Sequence, residues 1–157
     1  MLNIHMTMAE AFYHVAGLRR NQPALACGEI RFTYGELLDL TLHLVRGLHD
    51  LDLRKGDRVV AFLSPGADYA CLFFALAELG GVFVPLNPQL RPRSMSQVLQ
   101  DADPLMLVTE RPLDEDSFTH PAGLKHVLHA PGAGDLNPTL GELAVSGKTD
   151  PLPPVDV

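Results

Sequence analysis

Apolar positions along the first third of the chain recur at helical spacing. Between residues 6 and 20, Phe12, Val15 and Ala16 fall on one side of a spiral, which predicts a helix. Residues 23–27 and 30–32 read as two short strands joined by a tight turn at Gly28 and Glu29. Thr33 then offers a side-chain oxygen as a helix N-cap, and Glu36 stands three residues later. That is the pattern of a capping box, in which each side chain satisfies one orphan backbone N–H. In the helix it opens, Leu37, Leu44 and Leu48 fall near one line, beside Leu38, Leu42 and Val45. Such a broad apolar stripe belongs against a core.

The rhythm changes near residue 57. Val59-Val60-Ala61-Phe62-Leu63 is a continuous apolar run, which predicts a strand buried on both faces. Pro65 and Gly66 break it, and residues 67–79 are apolar nearly all round, so they predict a buried helix. Gly80 is well placed for the left-handed residue that ends a helix. Residues 82–86 read as a second buried strand whose pairing weakens at Pro85, because proline donates no N–H. A further helix over 92–102 and a third apolar strand over 104–109 follow. Strands alternating with helices of this length imply βαβ units. The fold class is therefore expected to be α/β, a doubly wound, mostly parallel sheet with flanking helices. Beyond Glu110 the pattern loosens. Residues 125–130 read as one more strand, 140–145 as a short helix, and Asp114-Glu115-Asp116 as a solvated loop. Pro151-Leu152-Pro153-Pro154 reads as a linker, since proline fixes φ and removes a donor. Residues 1–150 thus form one α/β unit in this reading, and 151–157 lead toward a downstream region.

Composition excludes some functions. A hydrophobic fraction of 46% in 157 residues fits a folded domain, or part of a larger one. A formal net charge of −7 argues against nucleic-acid binding, which needs clustered Lys and Arg. Basic residues come only in small groups, such as Arg19 and Arg20, or Arg54, Lys55 and Arg58. The most apolar stretch, residues 69–86, is interrupted by Glu78, Gly80, Gly81 and Pro85, a poor membrane span. With no basic segment preceding an apolar signal core, a cytoplasmic protein is expected. Cys27 and Cys71 form no CxxC pair, although two thiols far apart in sequence can still bridge in space. Cys71 lies in an apolar run and reads as a small buried hydrophobe.

Chemistry is sparse. Neither a G-x-x-x-x-G-K-[ST] loop nor a G-x-G-x-x-G after a strand is present, and Gly132-Ala133-Gly134 reads as a plain loop. His126 and His129 lie three apart in an expected strand and point to opposite faces, and His43 and His49 do not share a helix face. No catalytic or metal-ligating set emerges. Ser64 follows a buried strand but lacks a G-x-S-x-G setting, so it reads as a serine that satisfies local backbone.

Four segments in order carry a resemblance: RFTYGELL at 31–38, LRKGDRVVAFL at 53–63, ALAELGGVFVPLNP at 75–88 and QDADPLMLVTE at 100–110. Together, residues 23–109 resemble the opening of the adenylate-forming superfamily, which contains acyl-CoA synthetases, adenylation domains of peptide synthetases, and luciferases. The VPLNP form is more similar to the acyl-CoA ligases. The resemblance implies an N-terminal piece of an ATP-dependent carboxylate–CoA ligase that uses ATP, Mg²⁺ and CoA. Such an enzyme joins a fatty acid or other carboxylate to AMP, then transfers the acyl group to a thiol. The phosphate loop, ribose-binding aspartate and C-terminal lysine of that family lie downstream of the segments seen here. The piece is therefore expected to be inactive alone, its partners being a downstream lobe and a C-terminal domain. The resemblance also implies a CoA edge at Asn87, Pro88 and Gln89, with Arg91, Arg93 and Arg111 as further candidates. Family members commonly carry an arginine where this chain has Gln89. The alternative is a stand-alone, non-catalytic module that binds a partner protein or forms a homodimer through its sheet or apolar helices.

Overall fold

A computed structural model of the chain describes residues 6–110 and 119–130. The first helix, α1 (Met8–Leu18), begins at Thr7. Thr7 Oγ1 accepts from the Glu10 N–H at 3.2 Å, while Glu10 Oε2 accepts from the Thr7 N–H at 2.7 Å. This capping box starts the helix inside the range expected from periodicity. Strands β1 (Pro23–Cys27) and β2 (Ile30–Thr33) form an antiparallel hairpin. Gly28, at φ 59°, supplies the left-handed conformation that a two-residue turn needs at its first central position.

The second helix, α2 (Tyr34–Asp50), opens with the capping box expected at Thr33 and Glu36. Thr33 Oγ1 accepts from the Glu36 N–H at 3.2 Å, and Glu36 Oε2 accepts from the Thr33 N–H at 2.7 Å. Replacing Thr33 with alanine is expected to cost about 1 kcal/mol, the usual loss for an N-cap side chain. A shift in the urea midpoint of the circular dichroism signal would measure it. An unchanged midpoint would mean that tertiary packing alone holds this helix end.

Strand β3 (Arg58–Phe62) leads through α3 (Ala67–Leu79) to β4 (Val82–Pro85), and β4 leads through α4 (Pro92–Ala102) to β5 (Met106–Thr109). Strand β6 (His126–His129) completes a parallel sheet of order β4-β3-β5-β6. The sheet is doubly wound, as expected. Val59, Ala61, Met106 and Val108 face a large core shared with α1, α2 and α3. Val60, Phe62 and Leu107 face a smaller core beneath Met95 and Leu99 of α4. Both faces of β3 are therefore buried, which explains its continuous apolar run. Rings bind the layers. Phe12 of α1 stacks on Phe74 of α3 at 4.1 Å, and Tyr69 of α3 meets the edge of Phe83 in β4 at 5.1 Å. At the end of α3, Gly80 adopts φ 68°, the left-handed closure expected there.

One expectation needs correction: β4 is an edge strand and is not buried. Val82 keeps 44% of its surface exposed, and Pro85 is exposed as well. The path through α3 and back through α4 puts β4 outside β3, with pairing on one side only among the described residues. An edge tolerates Pro85 because its missing N–H costs no second ladder. The Leu86 N–H resumes pairing with the Ala61 carbonyl at 2.8 Å. Among the described residues no helix is long and apolar enough to cross a membrane. The acidic 114–116 run, the glycines at 132–134, the expected helix at 140–145 and the proline-rich 151–154 lie outside the described residues.

Candidate functional site

Because β3, β4, β5 and β6 run parallel, their carboxyl ends and the loops that follow gather along one edge of the sheet. In open α/β sheets this edge is where ligands bind. The loop after β4 carries most of the residues that the resemblance singled out. Asn87 Oδ1 accepts from the Gln89 N–H at 2.9 Å, and the Asn87 carbonyl accepts from the Leu90 N–H at 2.9 Å. An asparagine whose side chain bonds two residues ahead builds a tight turn. The Asn87 carbonyl oxygens therefore shape the loop, leaving its amide N–H groups as the donors it can offer a ligand. Leu90 anchors the turn from below by packing into the smaller core.

Gln89, Arg91 and Arg93 are exposed. Arg91 is the N-cap of α4, with extended backbone at φ −73° and ψ 149°, and no side chain caps that helix start. Arg93, the second residue of α4, lines a shallow groove on that helix with Ser96, Gln97, Gln100 and Asp101. The structure thus places Asn87, Gln89 and Arg91 on one loop and Arg93 on the adjoining helix. Arg111 lies outside the described residues.

Ser64 has a different partner from the one expected. Its N–H donates to Glu110 Oε2 at 2.8 Å and its hydroxyl donates to Glu110 Oε1 at 2.7 Å. Both residues follow the carboxyl ends of adjacent strands, β3 and β5, and both are half-buried. Sequence reasoning overlooked Glu110, because the partners are 46 residues apart and meet only when β3 and β5 pair. Its one legible signal was position, a carboxylate directly after the third apolar strand.

Elsewhere the titratable groups serve packing. Burial pushes the Cys71 thiol up to about 11, and its Sγ lies 3.9 Å from the Leu37 carbonyl. Cys27 and Cys71 are both free thiols, so no bridge forms between them. Burial also raises Asp68, in the first turn of α3, above its ordinary value. Tyr13 is raised by burial and then by the adjacent Glu78 carboxylate, beside a cleft that Lys55 and Glu10 also line. The four β6 positions alternate in exposure from His126 to His129. Among the described residues no three His, Cys, Asp or Glu side chains gather as a metal set would.

Comparison with known proteins gives a consistent result. The sequence profile of the AMP-binding enzymes matches residues 12–153. The long-chain-fatty-acid–CoA ligase FadD13 of Mycobacterium tuberculosis is 31% identical over 84 residues, or 54% of this chain and 17% of the ligase. Surfactin synthase subunit 1 of Bacillus subtilis is 26% identical over 114 residues, or 72% of this chain and 3% of the synthase. Among solved structures, the anthranilate CoA ligase AuaEII in complex with anthranoyl-AMP superimposes with a TM-score of 0.81 at 20% identity. That match covers 95% of this chain and 29% of the ligase. The N-terminal domain of FACL13 from Mycobacterium tuberculosis superimposes with a TM-score of 0.75 at 22% identity, covering 92% of this chain and 37% of that domain. At these identities the structural likeness shows the fold alone. The chain spans less than a fifth of the length of FadD13.

Proposed function

The chain belongs to the AMP-binding enzyme family, and from that premise we propose that it supplies the N-terminal α/β part of a cytoplasmic, ATP-dependent carboxylate–CoA ligase. The observation that carries this reading is the family match over residues 12–153, which runs through the whole parallel sheet. The ligase, when complete, joins a fatty acid or other carboxylate to AMP with release of pyrophosphate, then passes the acyl group to the CoA thiol. ATP and Mg²⁺ supply the activating phosphoryl chemistry when bound. Such chemistry needs cations and N–H donors directed at phosphoryl oxygens.

The residues present fit one part of that task. Gln89, Arg91 and Arg93 offer exposed donors around a helix start that no side chain caps, and this suits the phosphates of CoA. Asn87 contributes by holding the loop that presents them. The edge does not serve ATP in the same way. At the junction of β3 and β5, the Ser64 N–H and hydroxyl are held by the Glu110 carboxylate, so they do not face a phosphoryl group. In this reading, a downstream lobe and a C-terminal domain supply the groups that adenylation needs, as the family resemblance implies.

Pyrophosphate release measured with ATP–Mg²⁺ and a range of carboxylates tests the proposal. The 157-residue chain is expected to release none above the blank, and calorimetry is expected to give no saturable heat with ATP–Mg²⁺ and no tight binding of CoA. Turnover, or saturable ATP binding, would show that the chain carries its own adenylating machinery.

A further inference from the structure

The strand order reverses between β3 and β5. From β3 the chain passes through α3 to β4 on one side, then returns through α4 to β5 on the other. Open parallel sheets leave a crevice at such a point, outside the carboxyl ends of the two strands. In this protein the loops that follow those two strands are tied to each other by Ser64 and Glu110.

The backbone ladder continues just past the strand ends, where the Glu110 N–H donates to the Phe62 carbonyl at 3.3 Å. Beyond it the Glu110 side chain turns across to Ser64, and each carboxylate oxygen takes one donor, at 2.7 Å and 2.8 Å. Hydrogen bonds to an ionised acceptor are stronger than neutral ones, and half-burial reduces competition from water. Two bonds to one residue fix both the separation and the relative rotation of the crevice's lips. Pro65 restricts Ser64 to extended backbone. Gly66, the N-cap of α3, makes no side-chain capping bond, so the cap itself does not anchor this turn.

We propose that Glu110 is a strap across the switch-point crevice. It holds the turn between β3 and α3 against the end of β5, and the crevice opens only when the carboxylate swings away. This rests on the chain's own geometry and does not depend on the ligase reading.

Amide hydrogen exchange, read residue by residue by NMR on the 157-residue chain, tests the strap in two variants. Glu110→Ala removes both bonds. Glu110→Gln keeps a two-point contact, since its oxygen accepts from the Ser64 N–H and its amide nitrogen donates to the Ser64 hydroxyl. In Glu110→Ala the Ser64 amide is expected to exchange at least about tenfold faster, the scale of losing a bond to a charged acceptor. In Glu110→Gln it should stay within roughly threefold of the native rate, the smaller change expected when a neutral bond replaces a charged one. The amides of Val60 and Leu107, inside the sheet, should not change in either variant. If Glu110→Ala does not fold, Ser64→Ala carries the test. It retains the backbone bond and loses the hydroxyl bond, so the amide at position 64 should exchange about threefold faster, a smaller change than in Glu110→Ala, with an unchanged sheet. Three results would overturn the proposal: no acceleration at Ser64, equal acceleration at Val60 and Leu107, or a glutamine variant as fast as the alanine one.

Discussion

Replacing Val60 with aspartate is expected to unfold the chain, whereas the same change at Val82 is expected to leave it folded. Val60 is fully buried at the centre of the sheet, in register with Val84 of β4 on one side and Leu107 of β5 on the other. Above it lie Met95 and Leu99 of α4, which offer no donor to a carboxylate. An aspartate there must either keep an unpaired charge out of water or take up a proton, and both cost free energy. The loss should exceed about 4 kcal/mol, a large part of the roughly 5–15 kcal/mol that holds a domain together. Val82 begins the edge strand with 44% of its surface exposed, and its register partner is Arg58. An aspartate at that position meets water and a guanidinium across the ladder, so the change should stay within about 0.5 kcal/mol. Urea unfolding followed by circular dichroism distinguishes the two. A native-like transition in Val60→Asp would contradict two-sided burial of β3. Collapse of Val82→Asp would mean that β4 is covered in solution.

That contrast marks the boundary of what local sequence could reveal. The Thr33–Glu36 capping box, the ends of α3 and α4, and the left-handed Gly80 were legible because each depends on neighbours within a few residues. The run at Val59 to Leu63 announced burial on both faces, and the structure agrees. Residues 82–86 gave a similar apolar signal but lie at an edge, since strand order follows from where the α3 and α4 crossovers go. The Thr7 box at α1 was equally local and was overlooked, although Glu10 stands at the same offset as Glu36 does from Thr33. Asp103 shows a further limit. It adopts φ 40° at the end of α4 and accepts from the Gly123 N–H at 2.8 Å, a link across 20 residues.

The candidate site divides in the same way. Asn87, Gln89, Arg91 and Arg93 came to notice through family resemblance, since composition and spacing alone gave no reason to choose them. The structure adds that Asn87 serves the turn while Gln89 and Arg91 face solvent. Beyond the place of Glu110 directly after a strand, nothing in the sequence pointed to its pairing with Ser64, because the two segments meet only in the sheet.

Leu72→Ala is expected to produce a large loss that leaves the architecture in place. Leu72 is fully buried in α3, which packs against α1 and α2 on one side and β4 on the other. Truncation removes most of an apolar side chain and leaves a cavity whose walls belong to several elements. Such walls relax only partly, so the cost should fall at about 2–5 kcal/mol. Leu72→Met keeps the volume nearly constant and should cost less than about 1.5 kcal/mol. With a urea slope of about 1–3 kcal/mol/M for a small domain, the alanine variant should lower the midpoint by about 0.7 M or more. The slope carries separate information, because it scales with the surface exposed on unfolding. A lowered midpoint at constant slope means that the three-helix layer stays closed around the smaller residue. A lowered slope means that the native state itself has loosened. That outcome would show that the seating of α3 depends on the full volume of Leu72. A loss below about 1 kcal/mol would contradict the central place of α3 in the core, since full burial of leucine alone is worth more than that.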